Sequence, residues 1–156
     1  MPSRFDTHPN ICETSVTQSA ADTDTAATIE EIPKPQTISR SKLIVPELLK
    51  VQFRHYIILA NNAQSKCILE SGDGDDIAIH EHLCKTTAAG TAFYNPTSPQ
   101  YDLTDGQGNG ILCAKQPVLR IQSYATSLSN VGRAIIFWRW KEVNTNEFIA
   151  LQGGAT

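Results

Sequence analysis

The sequence predicts an all-β protein: an antiparallel β-sandwich or jelly roll of about seven or eight strands, with an extended N-terminal arm. Short runs of β-branched and aromatic residues recur along the chain, and clusters of Gly, Pro, Asn and Asp separate them. No stretch shows the apolar spacing of an amphipathic helix. These observations favour two packed antiparallel sheets.

Composition limits the classes of function. The chain has 156 residues, 40% of them hydrophobic, and a net charge of −3. It has no polybasic patch, so we expect no nucleic-acid binding and no attachment to an anionic membrane. No apolar run is long enough to span a bilayer, and the polar N-terminus does not resemble a signal peptide. We therefore expect synthesis in a cytoplasm.

Residues 1–40 differ from the rest of the chain and are predicted to form the arm. They contain six acidic and three basic residues, a single aromatic residue and long Thr, Ser and Ala tracts. Such a segment buries little apolar surface on its own. Its apolar residues are irregularly spaced, which suits an extended strand in a neighbour's groove; these candidate partner contacts are Phe5, Ile11, Val16, Ile29, Ile32 and Ile38. The alternative is a tail folded back on its own domain.

Residues 41–156 are predicted to form the β-domain, after a junction marked by Pro33 and Pro35. The first strand is long, because residues 48–54 alternate with a period of two and continue into an apolar run up to residue 59. Further strands are predicted at 67–70, 77–84, 111–114, 118–125, 133–143 and 148–151. A loop at 126–132 would join the two long late strands into an antiparallel hairpin.

The strand at 133–143 carries both tryptophans. Its apolar run from Ala134 to Trp138 has no polar alternation, so both faces should be covered, by the sandwich or by a neighbouring subunit. Ile136, Trp138 and Trp140 share one face and are therefore predicted to lie in the core or a subunit interface.

Two loops could suggest ligand chemistry but are interpreted as turns. Residues 73–76 resemble part of a calcium loop, yet the EF-hand spacing fails, which favours a solvated hairpin turn. Residues 105–110 are glycine-rich but open no helix and lack a lysine, so they do not form a nucleotide-binding loop.

The most metal-like cluster is His80, His82 and Cys84, which would share one face of a strand. A polar strand face with a packed cysteine explains the same pattern, and we predict no metal and no cofactor. The four cysteines contain no CxxC pair, which indicates buried free thiols. No nucleophile motif is present, so we do not expect an enzyme and name no catalytic residue.

The overall plan resembles the small decoration, or cement, proteins of bacteriophage and viral capsids. The resemblance lies in arm 1–40, a β-domain and a tryptophan-bearing late hairpin at Val118–Val143. It implies a homotrimer on the virion surface that binds the major capsid protein and stabilises the lattice. If the arm clamps that lattice, deleting residues 1–38 should leave a folded domain that attaches weakly.

A second function remains open: a β-sandwich receptor- or carbohydrate-binding module of a viral fibre or tail. Its contact surface would be the aromatic residues Phe93, Tyr94 and Tyr101. A lipocalin-like barrel is a third possibility, which the short, irregular strands disfavour.

Overall fold

The computed structural model describes residues 9–18, 24–58, 63–84, 92–94, 99–124 and 130–153. In chain order the elements are β1 (Asn10–Gln18), β2 (Asp24–Thr28), β3 (Gln36–Thr37), β4 (Lys42–Ile58), β5 (Ala63–Glu70), β6 (Asp76–Cys84), β7 (Ala92–Tyr94), β8 (Gln100–Asp102), β9 (Ile111–Leu112), β10 (Val118–Tyr124), β11 (Asn130–Asn144) and α1 (Thr145–Gly153). The predicted all-β class is confirmed. Within the described ranges, no helix is long and apolar enough to cross a membrane.

The strands form two antiparallel sheets. In sheet A, β11 lies between β1 and β4, and the far edge of β4 pairs in turn with the short strands β3, β9, β8 and β7. Sheet B has the order β2-β10-β5-β6. The residues between the sheets form one apolar core, including Val51 and Phe53 of β4 and Leu69 of β5.

The strand β11 holds the central position that its apolar run predicts. Ile136 is fully buried, Trp138 is buried, and Trp140 is partly buried against the same core. The two indole rings meet edge to face, with centroids 5.2 Å apart. Gly132 lets the sheets approach closely, because a Cβ at this position would lie 2.9 Å from the Sγ atom of Cys67 in sheet B.

The predicted hairpin between the two late strands is wrong. β10 pairs with β2 and β5 in sheet B, whereas β11 pairs with β1 and β4 in sheet A. Both edges of each strand are therefore occupied by strands distant in sequence, and the chain crosses from one sheet to the other between them.

The predicted final strand at 148–151 is also wrong, because these residues belong to α1. The Asn144 side chain accepts a hydrogen bond from the Glu147 backbone N–H at 2.8 Å, and the Glu147 carboxylate accepts one from the Asn144 N–H at 3.3 Å. This reciprocal capping box satisfies two backbone donors at the start of the helix.

The described residues among the first forty, 9–18 and 24–40, differ most from their prediction. β1 pairs along its whole length with β11, and β2 pairs along its whole length with β10. This segment therefore supplies an edge strand to each sheet of its own domain. The pairing of β1 and β2 corresponds to the alternative of a tail folded back on its own domain.

Candidate interaction surfaces

The outer face of sheet A carries apolar side chains where a two-sheet sandwich normally meets water with polar ones. Ile11 of β1 lies opposite Phe137 of β11 and is 66% exposed. Phe137 is half-buried, as are its outward-facing neighbours Ile135 and Leu49. We call Ile11, Leu49, Ile135 and Phe137 the outer-face patch.

A β-bulge shapes this patch. Phe137 pairs with Lys50 and the next residue, Trp138, pairs with Leu48, so Leu49 is an extra residue in β4. The backbone carbonyl of Leu49 instead accepts a hydrogen bond from Leu103 at 2.9 Å. The bulge opens a groove of about 500 Å³ beside the patch, lined by Pro9, Leu49, Lys50, Gln100, Asp102, Thr104 and Phe137.

Charged side chains of both signs border the patch. The Lys50 ammonium lies 5.4 Å from the centroid of the Phe137 ring, a cation–π distance. Arg54 and Arg133 are exposed and face each other directly across β4 and β11. The acids nearby are Glu13 on β1 and Asp102 in the groove. The Asp102 carboxylate accepts hydrogen bonds from Thr104, which together with the Lys50 charge hold its pKa below the usual value.

A buried ion pair fixes the sheet next to the patch. The Glu47 carboxylate, 1% exposed, accepts a hydrogen bond from Arg139 on the neighbouring strand. Arg139 also donates to the carbonyl of Gly108 at 3.0 Å. The glycine-rich segment is thereby tied to sheet A, and it is a turn as predicted: Asp105 accepts hydrogen bonds from the N–H groups of Gln107 and Asn109.

The turn between β5 and β6 forms a second surface feature, which is acidic. Ser71 donates its backbone N–H to the Asp75 carbonyl at 2.8 Å, and Gly74 adopts a positive φ of 95°. This is the hairpin turn that the sequence predicts for residues 73–76. Asp73 pairs with Lys115, while Asp75 and Asp76 are exposed.

The outer face of sheet B carries a polar groove of about 360 Å³ beside that turn, lined by Ala26, Thr28, Glu70–Gly74, Val118 and Arg120. Its centre is the Arg120 guanidinium, which donates to Glu70 of β5 and to Asp24 of β2. The paired carboxylates raise the pKa of Arg120. Burial alone would raise the Asp24 pKa, but hydrogen bonds from Arg120 and Gln122 hold it below its usual value.

A third groove, of about 400 Å³, lies at the edge of the sandwich between β6 and β8. Tyr101 lines it, is 37% exposed, and packs edge-on against Phe53 with ring centroids 5.7 Å apart. Of the predicted aromatic contact surface, Tyr101 is therefore accessible. The side chains of Phe93 and Tyr94 lie outside the described residues.

The six predicted arm contacts are divided between core and surface. Ile29 and Ile32 are fully buried and Val16 is 5% exposed, all within this chain's own core. Ile11 and Ile38 are exposed. Phe5 lies outside the described residues.

The metal-like trio is described only in part. His80 is buried and its ring stacks on Phe53 with centroids 6.1 Å apart. The side chains of His82 and Cys84 lie outside the described part of the chain. Among the side chains that the structure does describe, no group of three His, Cys, Asp or Glu could hold a metal ion.

The described cysteines are buried free thiols, as the sequence predicts. Burial raises the pKa of Cys67 and Cys113 to about 12, and burial together with the Glu31 charge raises that of Cys12 to about 11. These thiols therefore stay protonated near neutral pH, and a neutral thiol is a poor nucleophile.

Sequence reasoning missed the outer-face patch as a site, although one signal was present. The absence of polar alternation from Ala134 to Trp138 predicts cover on both faces of β11, and the structure covers one face with the core. Phe137 belongs to the other face. The bulge at Leu49 has no signal in the sequence, because it arises from the register of β4 against β11.

Comparison of the fold with solved structures finds polyomavirus proteins. Merkel cell polyomavirus VP1 in complex with disialyllactose matches with a TM-score of 0.51 and 7% identity, covering 90% of this chain and 97% of that one. Apo New Jersey polyomavirus VP1 matches with a TM-score of 0.48 and 6% identity, covering 87% of this chain and all of that one. No family model and no curated protein sequence matches. Because the sequence identity is so low, the match to Merkel cell polyomavirus VP1 establishes the jelly-roll fold alone.

Proposed function

We propose that this protein is a structural component of a virus particle. The observation that carries the proposal is the fold likeness to polyomavirus VP1, a viral capsid protein, over nearly the full length of both chains. The chain's own chemistry is consistent with a role based on contact area. Burial keeps its described thiols protonated near neutral pH, and the two grooves on the outer faces of the sheets are open to solvent.

The finer proposal is that the protein decorates a capsid lattice, binding the major capsid protein as a homotrimer. The mode of attachment differs from a clamping arm, because Val16, Ile29 and Ile32 are committed to the protein's own core. Attachment would use the outer surfaces of the folded sandwich. The outer-face patch is the surface best suited to this role, since it is apolar and surrounded by charge, as protein interfaces commonly are.

Quantitative mass spectrometry of purified particles tests this function. Particles from cells that produce this protein are banded on a density gradient and washed with high salt. A structural component stays in the particle band at a fixed ratio to the major capsid protein. Loss of the protein from the band, or a ratio that varies between preparations, would contradict the proposal.

A second candidate function is glycan binding, as in a receptor-binding module. Exposed Tyr101, beside the carboxylates of Asp76 and Asp102 in the edge groove, could stack on a sugar ring and bind its hydroxyls. The Merkel cell polyomavirus VP1 structure is a complex with disialyllactose. A glycan array with the intact protein and with Tyr101→Ala tests this, and binding by the intact protein alone is the expected result.

A further inference from the structure

We propose that two copies of this chain associate through the outer edge of β1, which pairs antiparallel with the same strand of the second copy across a two-fold axis. The contact goes beyond the proposed function and does not depend on it. It is also separate from the trimer contact proposed above, because a two-fold contact alone does not close a ring of three subunits.

The strand β1 lacks the features that usually protect the edge of a sheet. It is the end strand of sheet A, and no described strand pairs with its outer side. The structure describes all nine of its residues, which include no proline and no lysine and pair with β11 without a register shift. Proteins usually protect exposed edges with prolines, lysines, bulges or very short strands. The outer backbone N–H and C=O groups of β1 are therefore a template for another strand.

The other described edges are less suited to strand pairing. In sheet B, β2 has only five residues, and β6 joins β5 through a register shift beside Asp76. A bulge of this kind bends an edge and hinders regular pairing with a further strand. The far side of β4 in sheet A is divided among the short strands β3, β9, β8 and β7. The edge that is both long and regular is β1.

The side chains of β1 complement themselves in one register. Residues directly opposite each other in an antiparallel pair point to the same face, so exposed positions must oppose exposed positions. A pair centred on Thr14 meets this condition along the whole strand. Glu13, the one charged residue of β1, then lies opposite Ser15, whose hydroxyl can donate to the carboxylate. Any other centre leaves strand ends unpaired, and a centre at Glu13 would also place two carboxylates together.

The same register covers exposed apolar surface. Ile11 is 66% exposed, more than any other large apolar side chain among the described residues. It would lie opposite Thr17 of the second copy, on the outer face of the joined sheets, and covering apolar area of this kind gains free energy. The two-fold axis repeats each of these contacts, so every favourable pair occurs twice.

Substitutions of Ser15 test the contact with opposite signs. Ser15→Glu places a second carboxylate opposite Glu13 and should weaken the dimer roughly tenfold, because the axis repeats the repulsion. Ser15→Lys should tighten the dimer. Within one subunit Ser15 lies opposite Arg133, so the two substitutions should change the stability of the fold in the reverse order.

Sedimentation velocity of the full-length protein over a range of concentrations measures dimerisation, and thermal unfolding measures the stability of each variant. Ser41→Glu adds the same charge at an exposed position next to α1 and is the matched control. The proposal is overturned by a wild-type chain that stays monomeric at every concentration. It is also overturned if Ser15→Glu dimerises as tightly as the wild type, or if Ser15→Lys dimerises more weakly.

Paired cysteine substitutions test the register. A mixture of Glu13→Cys with Ser15→Cys should form a disulfide-linked dimer on mild oxidation, because directly opposed Cα atoms lie about 4.5–5.5 Å apart. A mixture of Ile11→Cys with Ser15→Cys is displaced by two positions and should cross-link much less. The wild-type chain, oxidised in the same way, controls for the native cysteines. A first mixture that cross-links no more than the second would contradict the pairing centred on Thr14.

Discussion

Gly132 lies at a close approach of the two sheets. A Cβ here would lie 2.9 Å from the Sγ atom of Cys67 in sheet B, and 3.4 Å from the Cγ1 atom of Val16, which pairs with Gly132 within sheet A. Val16 belongs to the N-terminal segment, so this contact also reports whether that segment is packed in the core. The strand needs a glycine here for space, not for an unusual backbone angle.

Gly132→Ala should destabilise the protein by about 1–3 kcal/mol, the usual cost of overpacking a core. Chemical denaturation measures the change. Gly106→Ala is the control, because a Cβ at Gly106 meets nothing within 4 Å. Equal stability of the two variants would mean that the sheets do not meet closely at Gly132.

Glu47 is a buried carboxylate whose charge is balanced by Arg139. Glu47→Ala removes the partner of a mostly buried guanidinium and should cost about 3 kcal/mol of unfolding free energy. Glu142→Ala breaks the exposed Lys42–Glu142 pair and should cost less than about 1 kcal/mol. Chemical denaturation of the two variants measures both losses of unfolding free energy. Losses of similar size would argue against a buried ion pair at Glu47.

At the scale of single elements, Arg120 of β10 adds a side-chain ion pair to the backbone pairing that holds β2 in sheet B. Asp24 of β2 pairs with Arg120; burial alone would raise the Asp24 pKa, but hydrogen bonds from Arg120 and Gln122 hold it below 3.8. A carboxyl group with a lowered pKa stabilises the folded state above its unfolded pKa. That stabilisation disappears as the pH falls through the folded pKa.

Asp24→Asn should therefore lower the thermal midpoint at neutral pH, and the difference from wild type should shrink as the pH falls below 3.8. Thermal unfolding of both proteins at a series of pH values measures this difference in midpoint. Glu30→Gln changes an exposed carboxyl elsewhere in the same segment and is the control. A wild-type advantage that persists at low pH would show that the Asp24 charge is not its source.

The sequence predicted those elements whose signal is local. The strand at 77–84 and the core face of Ile136 and Trp138 follow from alternation and apolar runs, and the structure contains them. The capping residues Asn144 and Glu147 also carried a local signal for α1, which the apolar run at 148–151 obscured.

The pairing of elements was harder to predict, because partners distant in sequence determine it. In β1, the buried positions Cys12, Val16 and Gln18 do alternate with exposed ones, but small polar side chains between them make the pattern weak. β2 is a strand of Asp, Thr and Ala whose place is fixed by pairing with β10. Tertiary context of this kind overrides local strand propensity.

For the whole molecule, the sandwich is closed on one side by its own N-terminal segment. β1 and β2 are consecutive in the chain, yet one completes the edge of sheet A and the other the edge of sheet B. Ile29 and Ile32, which follow β2, are fully buried in the core between the sheets. The described residues of the predicted arm therefore pack in the same sandwich as the later strands.

This unity changes how the protein would take part in an assembly. A free arm would add attachment strength by ordering on a partner. In the present fold the segment's apolar residues at 16, 29 and 32 are already buried. Among the described residues, the surfaces open to partners include the outer-face patch, the acidic turn, the polar groove of sheet B and the edge groove beside Tyr101. Because one fold can host many functions, the function of this protein depends on the chemistry of these surfaces.

The most direct test is thermal unfolding of a chain that lacks residues 1–38, compared with a chain truncated just before Pro9, which keeps β1 and β2. The structure predicts that the shorter truncation unfolds cooperatively, whereas the longer one does not, because it loses an edge strand from each sheet and the buried side chains of Val16, Ile29 and Ile32. A Δ1–38 protein that unfolds cooperatively with an unchanged midpoint would contradict the account.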